Sequence, residues 1–114
     1  MEDAKVVISK RAARFLNDGD VVNLGIGMPE MVANYLPEDV HVIFQSENGI
    51  MGMSSAATAE TEDTNRSNAG GKYVTVIPGA MFFDSATSFG LIRGGHVDAT
   101  ILGALQVDEE GSLA

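Results

Sequence analysis

The sequence predicts an α/β fold, a mostly parallel open sheet with helices on both faces, in a single domain over residues 1–114. Three observations carry that prediction. Short apolar, strand-like runs alternate with helix-like segments along the chain. Val21-Val22-Asn23-Leu24 passes through Gly25-Ile26-Gly27-Met28-Pro29 into a helical segment, the order strand, glycine loop, helix. A hydrophobic content of 45% with 13 glycines suits a packed core joined by tight turns rather than a disordered chain.

The elements follow in order. From Asp3 to Asn17, Ala4, Val7, Ile8, Ala12, Phe15 and Leu16 recur at three- and four-residue spacing, which predicts an amphipathic helix. Asp18-Gly19-Asp20 turns into the strand Val21 to Leu24, and the glycine loop leads into a helix through about Leu36. Pro37-Glu38-Asp39 ends that helix, and Val40 to Gln45 predicts a strand that delivers Ser46-Glu47-Asn48-Gly49 at its C-terminal end. Ile50 to Lys72 is rich in small, polar and acidic residues without periodicity, which predicts one long functional loop, a lid or interface segment. Val74 to Ile77 predicts a strand, Pro78-Gly79-Ala80 a turn, Asp84 or Ser85 the cap of a short helix ending at Gly94-Gly95, and Ala99 to Leu102 a buried strand. Parallel sheets of this kind bind ligands beyond the carboxyl ends of their strands, which is where Glu47 falls.

Composition narrows the function classes. Sixteen acidic against seven basic residues give a net charge of -9, which disfavours nucleic acid and anionic membrane surfaces as partners. Lys5, Lys10, Arg11 and Arg14 lie in the first helical segment, so Arg66, Lys72 and Arg93 are the only cations left for the rest of the chain. A phosphate-rich ligand therefore needs charge from another chain. A domain of this size buries only roughly 60 to 68% of its unfolded surface, so a partner surface is expected to add stability. The absence of cysteine excludes disulfides, thiol catalysis and thiolate metal sites. With no apolar run near the length of a bilayer span and a Met-Glu-Asp start, the expected location is cytoplasmic.

The chemistry centres on Glu47. A carboxylate has a reference pKa near 4.3, so it is ionised at neutral pH and acts as a nucleophile without a general base. Set between Ser46 and Asn48-Gly49 after an apolar strand, it is both exposed to a ligand and held by rigid structure. A solvated turn carboxylate is the competing structural reading. Gly25 and Gly27 permit close backbone approach to an anion at a helix start, or else form a plain tight turn. The third glycine of a dinucleotide fingerprint is missing, which argues against NAD. His41 and His96 have no spaced ligand partner, so no metal site is expected. His96 is expected to close a helix or meet a neighbouring subunit, and Phe82, Phe83 and Phe89 to be core or interface aromatics.

Several motifs, taken in order, resemble the B (beta) subunit of family I CoA-transferases, the 3-oxoacid and acetoacetate:acetate or butyrate enzymes. They are Asn23 to Pro29, Gln45 to Ile50, Asn68-Ala69-Gly70, Pro78-Gly79-Ala80, Phe82 to Ser85, Ile92 to Asp98 and Leu102 to Asp108. The resemblance implies that Glu47 is acylated and then thioesterified by CoA, which is a substrate here, with no further cofactor. It also implies an A (alpha) subunit that completes the site in an α2β2 assembly, acyl-CoA and short-chain carboxylic acid substrates, and Gly25, Gly27, Asn48 and Gly49 around the acyl end. Two departures stand out. Ser54-Ser55 follows Gly52-Met53 where the family usually has Gly-Pro. The ending at Leu113-Ala114 also lacks the glycine-rich segment that supplies an oxyanion-hole N–H in the family. Loss of one such donor typically costs on the order of 100- to 1000-fold in rate. The expectation is thus the N-terminal part of a B (beta) chain, truncated at its C-terminus, with a catalytically incomplete folding or association module as the alternative. A sugar-phosphate isomerase or ligand-sensing domain on a similar sheet is a third reading, disfavoured by the scarcity of cations near Gly25 and Glu47.

Overall fold

Asp3 starts the chain's first helix, α1 (Ala4–Ala13), by accepting the Lys5 N–H at 2.8 Å, and Lys10 and Arg11 occupy its last turn, where the helix dipole favours cations. The computed structural model describes residues 3–56, 60, 61, 63 and 65–114. The buried positions of this helix are Ser9 and Ala13, with Leu16 just beyond its end, while Val7, Ile8 and Phe15 are 51%, 53% and 72% exposed. The expected apolar stripe is therefore rotated: small residues face inward and let the next helix approach closely. Ser9 fits because its hydroxyl donates to the Lys5 carbonyl oxygen at 2.7 Å, leaving no unpaired polar group.

The predicted second helix is a 3₁₀ helix, Met28–Tyr35, with Pro29 and Val32 buried. It stops where Leu36 turns extended ahead of Pro37, because the proline ring disfavours helical backbone at the residue before it. It packs against α1 on one face of the sheet.

The strands are β1 (Val21–Leu24), β2 (Ile43–Ser46), β3 (Ile50–Ala56), β4 (Val74–Phe82) and β5 (Ala99–Ile101), arranged β4-β3-β2-β1-β5. β1 lies parallel to both β2 and β5, and β3 runs antiparallel to β2 and β4. The open α/β sheet is thus present, and its parallel strands are the ones that lead to Glu47.

Two predicted loops are corrected. Ile50 to Lys72 is not one irregular loop, since its first residues form β3, paired on both sides. Pro78-Gly79-Ala80 lies within β4 instead of ending a strand at Ile77. The pairing jumps from Met51↔Met81 to Met53↔Val76, so Ile77 to Ala80 bulge out of the ladder, and a proline without an N–H is tolerated in an edge strand. β5 is also an edge strand, only half-buried rather than buried as predicted.

Alternation along β1 and β2 divides the core. Val22, Leu24 and Phe44 join Ala13, Leu16, Val32, Ile50, Met53 and Val74 in one apolar cluster. Asn23 and Gln45, register partners, point to the other face, where α2 (Ser85–Arg93) meets Gln45. There the Gln45 amide donates to the Ser88 hydroxyl at 2.8 Å. The helices thus lie on both faces, as predicted. Asp84 caps α2 by accepting the Thr87 N–H at 2.7 Å. The helix closes in a Schellman pattern, with Gly95 N–H to Ile92 O at 3.3 Å and His96 N–H to Leu91 O at 3.0 Å. No helix among the described residues is long and apolar enough to cross a membrane.

Candidate active site

The site begins with a turn. Ser46 ends β2, Glu47-Asn48-Gly49 reverse the chain, and Ile50, paired with Ser46, starts β3. The Gly49 N–H donates to the Ser46 carbonyl oxygen at 3.0 Å, and the Gly49 carbonyl accepts the Phe83 N–H at 2.9 Å. Gly49 has φ 119°, and a Cβ there would collide with the Phe83 carbonyl oxygen. Only glycine satisfies both constraints, so Gly49 shapes the turn that carries Glu47.

Half-buried Glu47 lines an open cleft with Gly25, Ile26, Leu102, Gly103 and Ala104. These residues follow the carboxyl ends of β2, β1 and β5, the position at which open parallel sheets present ligand sites. Gly25 donates its N–H to Ile101 O at 2.9 Å, and a Cβ on it would lie 3.1 Å from that oxygen. The floor of the cleft is therefore bare backbone. Among the described residues, no hydrogen bond or ion pair engages the Glu47 carboxylate. Unengaged oxygens at a strand terminus are free to meet an electrophile.

The other predicted residues divide between two places. Gly27, φ 87°, caps the start of the 3₁₀ helix and lines a second cavity with Glu30, Ser46, Asn68 and Lys72, one that Glu47 does not line. Asn48 is exposed, and its amide donates to the Ser67 carbonyl at 2.6 Å, so this side chain is committed to the protein. The cleft thus unites Gly25 with Glu47, while Gly49 supports the turn from beneath.

Sequence reasoning missed the hairpin that holds this turn. Ser67 and Tyr73 form an antiparallel bridge, and Asn68 Oδ1 accepts the Gly70 and Lys72 N–H groups, each at 3.0 Å. Its tip reaches the site where Ala69 N–H donates to Ser46 Oγ at 2.7 Å. The signal was available in Asn68-Ala69-Gly70-Gly71, whose asparagine and glycines are turn-forming residues. Residues 57–59, 62 and 64 of the anticipated lid lie outside the described residues.

The remaining candidates are structural. His41 sits 3.2 Å from Asp18, whose carboxyl is held low by the His41 backbone N–H and then by its side chain. His96 closes α2 through its backbone. Phe82 and Phe89, expected in a core or an interface, are 55% and 41% exposed and so lie outside this chain's core.

The fold agrees with comparisons to known proteins. The family described as Coenzyme A transferase matches residues 5–114. An Escherichia coli protein named as the beta chain of an acetate CoA-transferase is 59% identical over 98% of this chain and 50% of its own length. A Bacillus subtilis protein, named as the probable B chain of a succinyl-CoA:3-ketoacid coenzyme A transferase, is 50% identical over 100% of this chain and 53% of its own. This chain therefore spans about half the length of these relatives. A crystal structure of an E. coli O157:H7 acyl-CoA transferase, as a thioester complex with CoA, superposes with a TM-score of 0.65 at 19% identity, covering 100% of this chain and 19% of that one. That likeness bears on the fold alone. The chain belongs to the Coenzyme A transferase family.

Proposed function

We propose that this chain is the nucleophile-bearing part of a CoA-transferase B (beta) chain, which moves CoA between a short-chain acyl- or 3-oxoacyl-CoA and a free carboxylic acid through a glutamyl-CoA thioester on Glu47. The observation that carries this reading is the Glu47 carboxylate, without a hydrogen-bond partner among the described residues, facing the cleft beside the bare backbone of Gly25. The names of relatives as beta or B chains support an A-type partner, with α2β2 as the proposed assembly and the cytoplasm as its location.

The steps balance without an external reagent. A Glu47 oxygen attacks the acyl-CoA carbonyl, the C–S bond breaks, and CoA leaves as a thiolate, giving a mixed acyl-glutamyl anhydride. The thiolate attacks the Glu47 carbonyl carbon and expels the acyl group as a free carboxylate, leaving the glutamyl thioester. An acceptor carboxylate then attacks that thioester, and the released thiolate attacks the acceptor's acyl carbon, returning Glu47 to its ionised form. Water must be kept away, because hydrolysis of either intermediate would discard the thioester's energy. In this chain Gly25 would admit the substrate close to the sheet edge, Gly49 and Asn48 would hold the turn, and Gly27 would start the adjoining helix.

A second reading, a catalytically incomplete association module, draws on the exposed apolar residues Leu102, Leu105, Val107 and Leu113, of which Leu105 is 96% exposed. One experiment separates the two. The chain, assembled with an A-type partner, is mixed with acetoacetyl-CoA, reduced with borohydride and mapped by peptide mass. A mass change confined to the Glu47 peptide is expected. An unmodified Glu47 beside a labelled full-length relative would leave the association module standing.

A further inference from the structure

The residues on either side of Glu47 are both held by the hairpin Ser67 to Tyr73: Ser46 Oγ accepts the Ala69 N–H at 2.7 Å, and the Asn48 amide donates to Ser67 O at 2.6 Å. That hairpin is in turn fastened to the 3₁₀ helix. Lys72 Nζ lies 3.3 Å from Glu30 Oε2, and Gly70 backs onto Glu30 so closely that a Cβ there would come within 2.7 Å of Oε1. The Glu30 side chain is 17% exposed, and neither carboxylate oxygen has an aligned hydrogen bond among the described residues. Lys72 is close enough for charge pairing though not aligned for a hydrogen bond, which makes it the compensating charge for a largely buried carboxylate.

We propose that Glu30 and Lys72 are positioning residues: their ion pair latches the Ser67–Tyr73 hairpin onto the 3₁₀ helix, so that Ser46 and Asn48 hold Glu47 in its attacking orientation. This inference rests on Glu47 acting as the nucleophile. It follows from connectivity: the Glu47 carboxylate has no partner among the described residues, so beyond the Gly49 turn beneath it, its orientation is set through its two neighbours. Lys72 is 72% exposed, so solvent screens the pair and its loss is expected to lower global stability only modestly. Its effect belongs in the geometry of attack, where a displacement of about 1 Å can cost roughly 100-fold in rate.

The test uses the assembled transferase and reads three quantities: kcat and KM for transfer, the single-turnover rate at which acetoacetyl-CoA labels Glu47, and the thermal midpoint. Lys72→Met is expected to slow labelling and kcat about 10- to 100-fold with KM nearly unchanged and the thermal midpoint only modestly lowered, and Lys72→Arg to restore most of the rate. Glu30→Gln keeps the shape of the side chain and is expected to slow labelling in the same direction, which carries the test should Lys72→Met fail to assemble. Wild-type labelling rates in both Lys72→Met and Glu30→Gln would overturn the latch. A rate loss in Lys72→Met that tracks a lowered thermal midpoint and is not rescued by Lys72→Arg would overturn it too. A Glu47→Ala control that still transfers CoA would sink the nucleophile reading itself, whatever the Lys72 variants do.

Discussion

The Phe83 N–H donates to the Gly49 carbonyl at 2.9 Å while the Phe83 carbonyl oxygen occupies the space a Gly49 side chain would need. Two backbone segments distant in sequence are thereby pressed together under the turn that carries Glu47. The end of β4 and the start of β3 meet at the same point, since Ile50 pairs with Phe82.

Replacing Gly49 by alanine is expected to break this contact. The residue's φ of 119° is costly for any L side chain, and the added methyl overlaps backbone that cannot rotate away. The expected destabilisation is roughly 2 to 6 kcal/mol, strain and overpacking together, read as a lowered denaturant midpoint. Transfer activity should disappear with it.

Glu47→Gln should behave in the opposite way. The side chain is half-buried and engages no partner among the described residues, so stability should stay within about 0.5 kcal/mol. Transfer should fall by more than about 1000-fold, because an amide neither attacks the thioester nor forms the anhydride. Steady-state rates beside a thermal melt distinguish this from Gly49→Ala.

Ser88→Ala tests the polar side of the sheet. Gln45 and Ser88 are both fully buried, and the serine hydroxyl is the close acceptor for the Gln45 amide. Its removal leaves the Gln45 amide only its longer contact with the Ser88 carbonyl oxygen at 3.4 Å, with an expected cost of about 1 kcal/mol by chemical denaturation. The loss should reach Glu47 labelling only weakly, because Ser46 and Asn48 are held from the hairpin and not from α2.

Acid should weaken the fold through exposed aspartates that hold local turns. Asp84 is lowered by the Thr87 side chain and backbone, and Asp108 by the Ser112 backbone N–H first. Asp18 is lowered by His41 in the same way. A carboxyl depressed in the folded state contributes stability that is complete above its unfolded value and is lost as pH falls through its folded value. Thermal midpoints should therefore hold steady above 3.8, the ordinary aspartate value, and decline below it. Asp84→Asn keeps a capping oxygen but cannot ionise, so it should flatten part of that decline.

Much of the site was legible in the residues. The apolar run ending at Gln45 and followed by Ser46 to Gly49 placed Glu47 at a strand's carboxyl end, and the structure keeps it there. Asp84 and the paired glycines at 94 and 95 marked α2 correctly, because caps are local: a side chain meets a backbone group within a few residues. β3 was hidden because its glycine and serines read as loop, and pairing on both sides outweighs a weak strand preference. Pro78-Gly79 read as a turn because no sequence pattern reveals that a strand lies at a sheet edge, where a bulge is tolerated.

By itself, then, the sequence determined the α/β alternation, the acidic cysteine-free composition and the place of Glu47 after a strand, since each depends on residue type or short-range periodicity. Only the tertiary structure decided what surrounds that carboxylate. Gly25 comes to Glu47 through the parallel register of β1 and β2, and Asn48 turns away to Ser67. Glu30 meets Lys72 across 42 positions because two elements remote in the chain pack together. Such contacts arise only when elements distant in the chain pack together, a condition no local segment can express.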